Sequence, residues 1–156
     1  MSTSTLPVPT LPATEDRVPQ HTSDEINQRI ARQTEERLAT LVGASKDTIS
    51  RRLLELDREW DIERTLETNA SSLIVASATL AVFEDRRWGL LTIAVGAFLL
   101  QHAVQGWCPP LPILRRLGFR TAGEINEERV ALRLLRGDFA YVPQTGKDAL
   151  TLAQEN

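Results

Sequence analysis

The longest uncharged stretch of this chain runs from Trp88 to Leu114, and a second uncharged run, Thr68 to Phe83, lies just before it. Only the four charged residues 84–87 separate the two runs. Because a helix rises about 1.5 Å per residue, about 20 apolar residues cover the roughly 30 Å hydrocarbon core of a bilayer. The pattern therefore predicts a membrane-embedded helical hairpin with spans at about 68–84 and 88–107.

A buried helix pair in a soluble domain is the alternative, because the first run is short and residues 76–79 are only weakly hydrophobic. A soluble core helix, however, shows a polar face at the 3.6-residue period. The second run has no such face before Gln101. Trp88 and Trp107 stand at its ends, where tryptophan rings favour the membrane–water boundary. These features favour the membrane-embedded hairpin over a soluble helix pair. The short first run does not exclude it, because local thinning of the bilayer accommodates short spans.

Two amphipathic helices are predicted in a soluble segment at 22–67. The first begins at Ser23 or Asp24, which are good N-cap residues, and ends before Gly43. The second begins at Ser45, and its apolar residues fall at i, i+4, i+7 and i+11. These residues are Ile49, Leu53, Leu56 and Trp60. No Gly or Pro follows before the first span, so we expect this helix to continue into it with only a bend.

Residues 108–137 are predicted to form a Cys-Pro loop and an amphipathic C-terminal helix. Prolines after Cys108 end the second span. Arg115 and Arg116 follow in a short basic turn, which we expect to lie on the membrane surface with its charges among the phosphates. This helix begins with a capping box at Thr121 and ends at Gly137.

The two ends of the chain are predicted to be tails. Residues 1–21 are rich in Pro, Ser and Thr and predict a disordered tail, while polar residues 138–156 predict a flexible one. The predicted fold class is all-α: a two-helix transmembrane hairpin with flanking amphipathic cytoplasmic helices and disordered tails. A net charge of −3 gives no general reason to expect nucleic acid as a partner, and a single cysteine excludes an intrachain disulfide.

The segment GWCPPLPILRRLGFRTAGEI, residues 106–125, carries a family resemblance. With the uncharged hairpin before it, it resembles the YgaP-like inner-membrane family, a two-span bacterial module of unknown function. The Gly-x-Cys-Pro signature at the end of the second span matches Gly106, Cys108 and Pro109. The resemblance covers roughly residues 50–138. It implies a hairpin in the inner membrane, a tendency to associate, and Cys108 as the position that matches the signature. Some members of the family carry a rhodanese sulfurtransferase domain in front of the hairpin.

A rhodanese activity does not carry over to this sequence. A rhodanese loop cradles its cysteine with backbone amides, whereas three prolines among the four residues after Cys108 remove amide donors. Paired catalytic carboxylates, a phosphate loop, a metal cluster and a nucleophile elbow are likewise absent from the pattern. We therefore expect a protein that is not an enzyme and needs neither cofactor nor metal.

Two residues at the end of the second span are candidates for chemistry. Cys108 is a possible reactive thiol, because the nearby Arg115 and Arg116 would favour its thiolate, or else a small packing residue. His102 is a possible proton carrier or ligand. Because its companions at helical spacing are glutamines, a hydrogen-bonded structural histidine is the favoured interpretation.

Small residues recur along the second span at alternating steps of three and four. This helix-packing seam consists of Gly89, Thr92, Gly96, Ala103 and Gly106, with Leu99 between them. Small residues let membrane helices approach closely. The seam therefore predicts either closure of the hairpin on itself or pairing between chains.

Residues 35–60 favour a different interpretation, a membrane-tethered helix-turn-helix DNA-binding regulator. Gly43 would form the turn, while Ile49 and Leu53 would pack the recognition helix. The residues that would face the DNA groove are Ser45, Lys46, Thr48, Ser50 and Arg51. Against it, Arg52 stands where an apolar residue is usual, no β-hairpin wing follows, and the segment is acidic overall. Nucleic acid is therefore the less favoured partner.

Together these patterns predict a non-enzymatic membrane protein, and the resemblance implies that it lies in a bacterial inner membrane. It would be an oligomerising anchor or accessory subunit, with sulfur or thiol handling as a candidate role. The expected partners are the lipid bilayer, further copies of the chain and a sulfurtransferase or other membrane protein. Trp88, Trp107, Arg115 and Arg116 are the predicted interfacial anchors.

Arginine asymmetry predicts the topology. Seven arginines flank the hairpin within residues 51–64 and 115–120, against two in the 84–87 turn. The positive-inside rule then places both termini in the cytoplasm. A cysteine placed in the turn of a Cys108→Ser protein should react with an impermeant thiol reagent in intact spheroplasts. Labelling only after lysis would reverse the topology.

Overall fold

The structure is a computed structural model that describes residues 13–140 and residues 145, 147, 148, 150 and 151. In this part of the chain the regular elements are all helical, which confirms the predicted all-α class. Short 3₁₀ turns occur at Pro19–His21 and Asp138–Ala140. The α-helices are α1 Asp24–Leu41, α2 Lys46–Leu56, α3 Ile62–Phe83, α4 Trp88–Gln105, α5 Leu111–Arg116 and α6 Ala122–Arg136.

The described residues fall into two compact units. The hairpin unit comprises residues 13–29 and 60–122, and therefore holds α3, α4 and α5. The three-helix unit comprises residues 30–59 and the described residues from 123 onward, and it is built from most of α1 together with α2 and α6.

The hairpin unit presents large apolar side chains on the outer faces of α3 and α4. Only 11% of the most apolar window of α3 is buried, and only 6% of that of α4. The core helix of a soluble protein would be mostly buried, and bare apolar surface of this extent is unfavourable in water. Both helices are long and apolar enough to cross a membrane, so the predicted hairpin is confirmed.

The start of α3 corrects one expectation. We expected the helix before it to continue into the span, but α2 ends at Leu56 and α3 begins at Ile62. The extended Asp61 caps α3, because its carboxylate accepts from the Arg64 amide at 2.7 Å. Ile62 is fully buried, and its amide donates to the Arg120 carbonyl at 2.8 Å. Capping and burial thus break the helix without a Gly or Pro.

The segment before α1 also differs from expectation. We predicted disorder through His21, yet Val18 is 1% exposed. It packs in a core with Ile62, Leu66, Cys108 and Leu111. One valine from this stretch therefore completes the apolar core at the end of the hairpin, which composition alone could not show. Residues 1–12 lie outside the described residues.

Arg115 is not an interfacial anchor, contrary to our expectation. Its side chain is fully buried, and its guanidinium donates to Thr22 Oγ1 at 3.2 Å, Asn27 Oδ1 at 2.8 Å and the Phe119 carbonyl at 3.0 Å. Helix α5 therefore turns this arginine inward, where it joins the segment before α1 to the loop after α5. Arg116, the next residue, is exposed.

The three-helix unit has its own apolar core, formed by Ile49, Leu53, Leu56, Ile125 and Leu132. The fully buried carboxylate of Glu128 lies in the same unit. It accepts from Arg52 Nε at 2.9 Å and from an Arg37 nitrogen at 3.3 Å. A buried charge requires such partners, since an unpaired one is costly.

The helix ends at Gly43 and Gly137 fall where the sequence predicts them. Beyond Gly137, Asp138 packs back on α6. Hydrogen bonds from Arg136 hold the pKa of the Asp138 carboxyl below its usual value. The predicted flexible tail at 138–156 lies largely outside the described residues.

The buried arginine yields a stability prediction. Arg115→Ala removes the donor shared by Thr22, Asn27 and Phe119, so it should cost about 3 kcal/mol of the free energy of unfolding. The measurement is thermal unfolding in detergent followed by circular dichroism. Arg116→Ala is the matched control and should leave the midpoint nearly unchanged, because its side chain is exposed. Equal midpoints for both variants would show that the buried contacts of Arg115 are not stabilising.

Candidate thiol site

Cys108 lies in the turn that follows α4. Helix α4 ends with Gly106 in the left-handed region at φ +79°, and the Gly106 amide donates to the His102 carbonyl at 2.7 Å. The chain then turns back, and the Leu111 amide donates to the Cys108 carbonyl at 3.1 Å. The Cys108 side chain is 4% exposed and points into the hairpin unit. The Gly-x-Cys-Pro pattern thus makes the turn that buries the thiol.

His102 lies next to this thiol, in the last turns of α4. Its side chain is buried, and Nε2 is 2.9 Å from Glu63 Oε2. Cys108 and His102 line the same cavity. The remaining ring nitrogen, Nδ1, is buried and makes no hydrogen bond of standard geometry.

The hydrogen bond to Glu63 leaves one ring nitrogen of His102 for another partner. If Nε2 carries the hydrogen and donates it to the Glu63 carboxylate, Nδ1 has a free lone pair. A lone pair beside a thiol can accept its proton. Enzymes activate a nucleophile by placing a base beside it and a third group that orients the base. We call Cys108, His102 and Glu63 the thiol relay.

Arg17 completes the surroundings of the relay. One of its terminal nitrogens donates to Glu63 Oε1 at 3.0 Å, and the other donates to the Ala103 carbonyl at 2.8 Å. Each carboxylate oxygen of Glu63 therefore has a partner, Arg17 on one side and His102 on the other. This fixes the carboxylate and, through it, the orientation of the ring.

The sequence interpretation of His102 considered only its neighbours at helical spacing and so missed Glu63. Glu63 lies in the first turn of α3, 39 residues before His102. A capped helix start at Asp61 would have extended the first span back to Glu63 and placed this carboxylate beside the end of the second. Arg115, which we expected to act on Cys108, donates instead to Thr22 and Asn27.

A cavity of about 480 Å³ leads from the relay along the hairpin. Its walls are almost entirely apolar, with His102 and Cys108 at one end. The lining residues are Leu66, Asn69, Ala70, Leu73, Val95, Phe98, Leu99, His102, Cys108, Pro109, Pro110 and Leu114. Among the described residues, no group of three or more His, Cys, Asp or Glu side chains is arranged to hold a metal ion.

The predicted packing seam divides into parts with different neighbours. Thr92 Oγ1 lies 2.7 Å from Ser77 Oγ on α3, and a Cβ on Gly89 would lie 3.9 Å from that of Ala81. A Cβ on Gly96 would meet nothing within 4 Å. The first part of the seam therefore closes the hairpin, while Gly96 has open space.

The last two residues of the seam, Ala103 and Gly106, lie against Arg17, which binds Glu63 of the thiol relay. Ala103 is exposed, and its carbonyl binds Arg17. Gly106 is buried, and any Cβ there would collide with the backbone of Arg17. Of the remaining predicted anchors, Trp88 is exposed and Trp107 is partly buried. Their place at a membrane boundary stays a prediction.

The helix-turn-helix alternative corresponds to α1, α2 and the turn between them. Ile49 and Leu53 are buried, as that interpretation requires. Arg52, where an apolar residue is usual, is held by Glu128. Ser50, one of the residues expected to face DNA, accepts from Arg136 at 3.0 Å. DNA binding stays a prediction that these contacts do not test.

Comparison with known proteins identifies part of the chain. Residues 61–124 match the family model described as the transmembrane domain of inner membrane protein YgaP-like. No curated protein and no solved structure matches the chain. The match covers α3, α4, α5, Glu63, His102 and Cys108, and the resemblance inferred from the sequence is confirmed. Residues 61–124 of the chain are thus similar to the transmembrane domain of the YgaP-like inner membrane protein family.

Proposed function

We propose that this membrane protein uses Cys108 as a nucleophilic thiol that accepts a chemical group at the end of the hairpin. The observation that carries the proposal is the contact between His102 and Glu63 beside a thiol that lines a cavity. The chain would act as an acceptor or accessory subunit and not as an enzyme that turns over. Sulfur or thiol handling, the candidate role from the sequence, belongs to this class of function.

The relay favours a reactive cysteine over a purely packing one. A cysteine that only fills space needs no ionisable neighbour, whereas His102 and Glu63 both lie at the end of a membrane hairpin. Ionisable groups there are costly and tend to be functional. Arg17 adds a further charge to hold Glu63 in place. The core contacts of Cys108 with Val18 and Leu111 then serve to fix the thiol.

Self-association is the second part of the proposal. The hairpin closes through Thr92 and Gly89, so Gly96 is left as the small residue available to a helix of another chain. Small residues support close helix approach in lipid. An accessory role beside a sulfurtransferase would use the same membrane-embedded surface.

The relay predicts base-assisted reactivity of Cys108. N-ethylmaleimide should alkylate the protein in detergent at neutral pH, and His102→Gln should slow this at least tenfold, since a positioned base contributes about 10²-fold or more. The loss should shrink in alkaline solution, where a thiol ionises without help. Intact-mass spectrometry over time gives both rates.

Two further variants sharpen this test. Glu63→Gln should slow alkylation less than His102→Gln does, because Glu63 only positions the ring. Gln101→Ala, on the same helix, is the matched control and should react like the parent. A His102→Gln protein that reacts at the parent rate across the pH range would mean that Cys108 is a packing residue.

Different residues of the seam are expected to close the hairpin and to pair one chain with another, so single substitutions should affect one without the other. Gly96→Ile should leave thermal stability in detergent unchanged, because its side chain meets nothing in its own hairpin. It should reduce crosslinking between chains in membranes, because a branched side chain holds the helix of another chain away. Gly89→Ile should lower thermal stability instead, since it would press on Ala81. Leu91→Ile is the control for a side-chain change on another face. Parent-like crosslinking of Gly96→Ile would contradict self-association through this surface.

A further inference from the structure

We propose that the cavity beside the thiol relay holds the hydrocarbon chain of an acyl thioester, and that Cys108 accepts the acyl group. The inference rests on the proposed nucleophilic role of Cys108 and names its substrate class. It is carried by the cavity, by its position on the membrane hairpin, and by the lining residue His102, whose buried Nδ1 has no hydrogen-bond partner.

The cavity has the dimensions of a short to medium hydrocarbon chain. It runs along α4 from His102 to Val95, which is seven residues or about 10 Å of helix. If a methylene takes up about as much space as a water molecule, roughly 30 Å³, then 480 Å³ accommodates on the order of ten carbons or more. A longer chain can continue into the surrounding bilayer, because Leu73 and Phe98 at the wall are about half exposed.

The polarity of the cavity suits a chain with one reactive end. Its walls are leucine, valine, phenylalanine and alanine side chains, and the amide of Asn69 already donates to the Thr65 carbonyl at 2.8 Å. Thiol and imidazole are confined to one end. A hydrocarbon chain bearing a carbonyl group at its head matches this distribution, whereas a small charged sulfur donor would lose its hydration against apolar walls.

The transfer needs no group beyond the relay and the thioester. The thiol proton of Cys108 passes to His102 Nδ1, and the sulfur attacks the thioester carbonyl carbon. A carbon–sulfur bond to Cys108 forms, the carbon–sulfur bond to the leaving thiolate breaks, and that thiolate takes the proton from Nδ1. The products are S-acylated Cys108 and a free thiol, with no net oxidation or reduction. Glu63 positions the ring throughout.

The experiment incubates the full-length protein in lipid nanodiscs with acetyl-, octanoyl- or palmitoyl-coenzyme A. Intact-mass spectrometry should show one hydroxylamine-sensitive acyl group, absent in Cys108→Ser. We expect octanoyl and palmitoyl transfer at least tenfold faster than acetyl transfer, and a tenfold loss in His102→Gln.

Cavity variants separate chain binding from simple reactivity. Leu73→Trp fills the cavity and should slow octanoyl and palmitoyl transfer at least tenfold while sparing acetyl transfer and alkylation by N-ethylmaleimide. Val75→Trp is the matched control, since Val75 is on the same helix, 65% exposed and outside the lining. It should behave like the parent.

Long acyl chains concentrate in the bilayer, which could by itself speed their reaction with any cysteine near the membrane. A cysteine at another position controls for this effect. Arg116→Cys in a Cys108→Ser protein puts an exposed cysteine near the same end of the hairpin. If it acylates as fast as Cys108 with the same chain preference, the cavity is not the cause and the inference is overturned.

The remaining outcomes distinguish this inference from the proposed function. Equal acetyl and palmitoyl rates, or no acyl transfer at all, overturn the acyl inference. If alkylation still depends on His102 in that case, the nucleophilic thiol stands with a different substrate. If alkylation is also independent of His102, both fail together.

Discussion

The hydrogen bond between Glu63 and His102 is the contact on which the end of the hairpin depends. It joins the first turn of α3 to the last turns of α4, at 2.9 Å. Two ionisable side chains at the end of apolar helices are expensive unless they pair. Their pairing sets how the two helices meet at this end, which in turn places Cys108 and the cavity mouth.

The segment before α1 packs around the contact between Glu63 and His102. Arg17 binds the second oxygen of Glu63, and Val18 fills the apolar core beside Cys108. The backbone of Arg17 passes so close to Gly106 that no side chain fits there. The glycine of the Gly-x-Cys-Pro pattern therefore has two roles, the left-handed turn that ends α4 and the room for this segment.

Each unit buries or partly buries a carboxylate, with different consequences. Glu128 is fully buried between two arginines, which satisfy it and leave it structural. Glu63 has an arginine on one side and a histidine on the other, and that histidine lines a cavity together with a thiol. Arginine cannot give up its proton in a protein, whereas imidazole can. The difference in partner is what makes one carboxylate a candidate for chemistry.

Elements whose causes are local could be predicted from the sequence. Uncharged runs, caps and glycine stops placed the hairpin, the helix ends near Gly43 and Gly137, and the family resemblance carried by the Gly-x-Cys-Pro pattern. The tertiary structure alone decided the pairings between distant residues: Glu63 with His102, Val18 with Cys108, and Arg115 with Thr22 and Asn27. Periodicity reports which face of a helix is apolar, but not which distant side chain meets it. The helix break before Ile62 belongs with these pairings, because burial of that residue and its bond to Arg120 help to fix it.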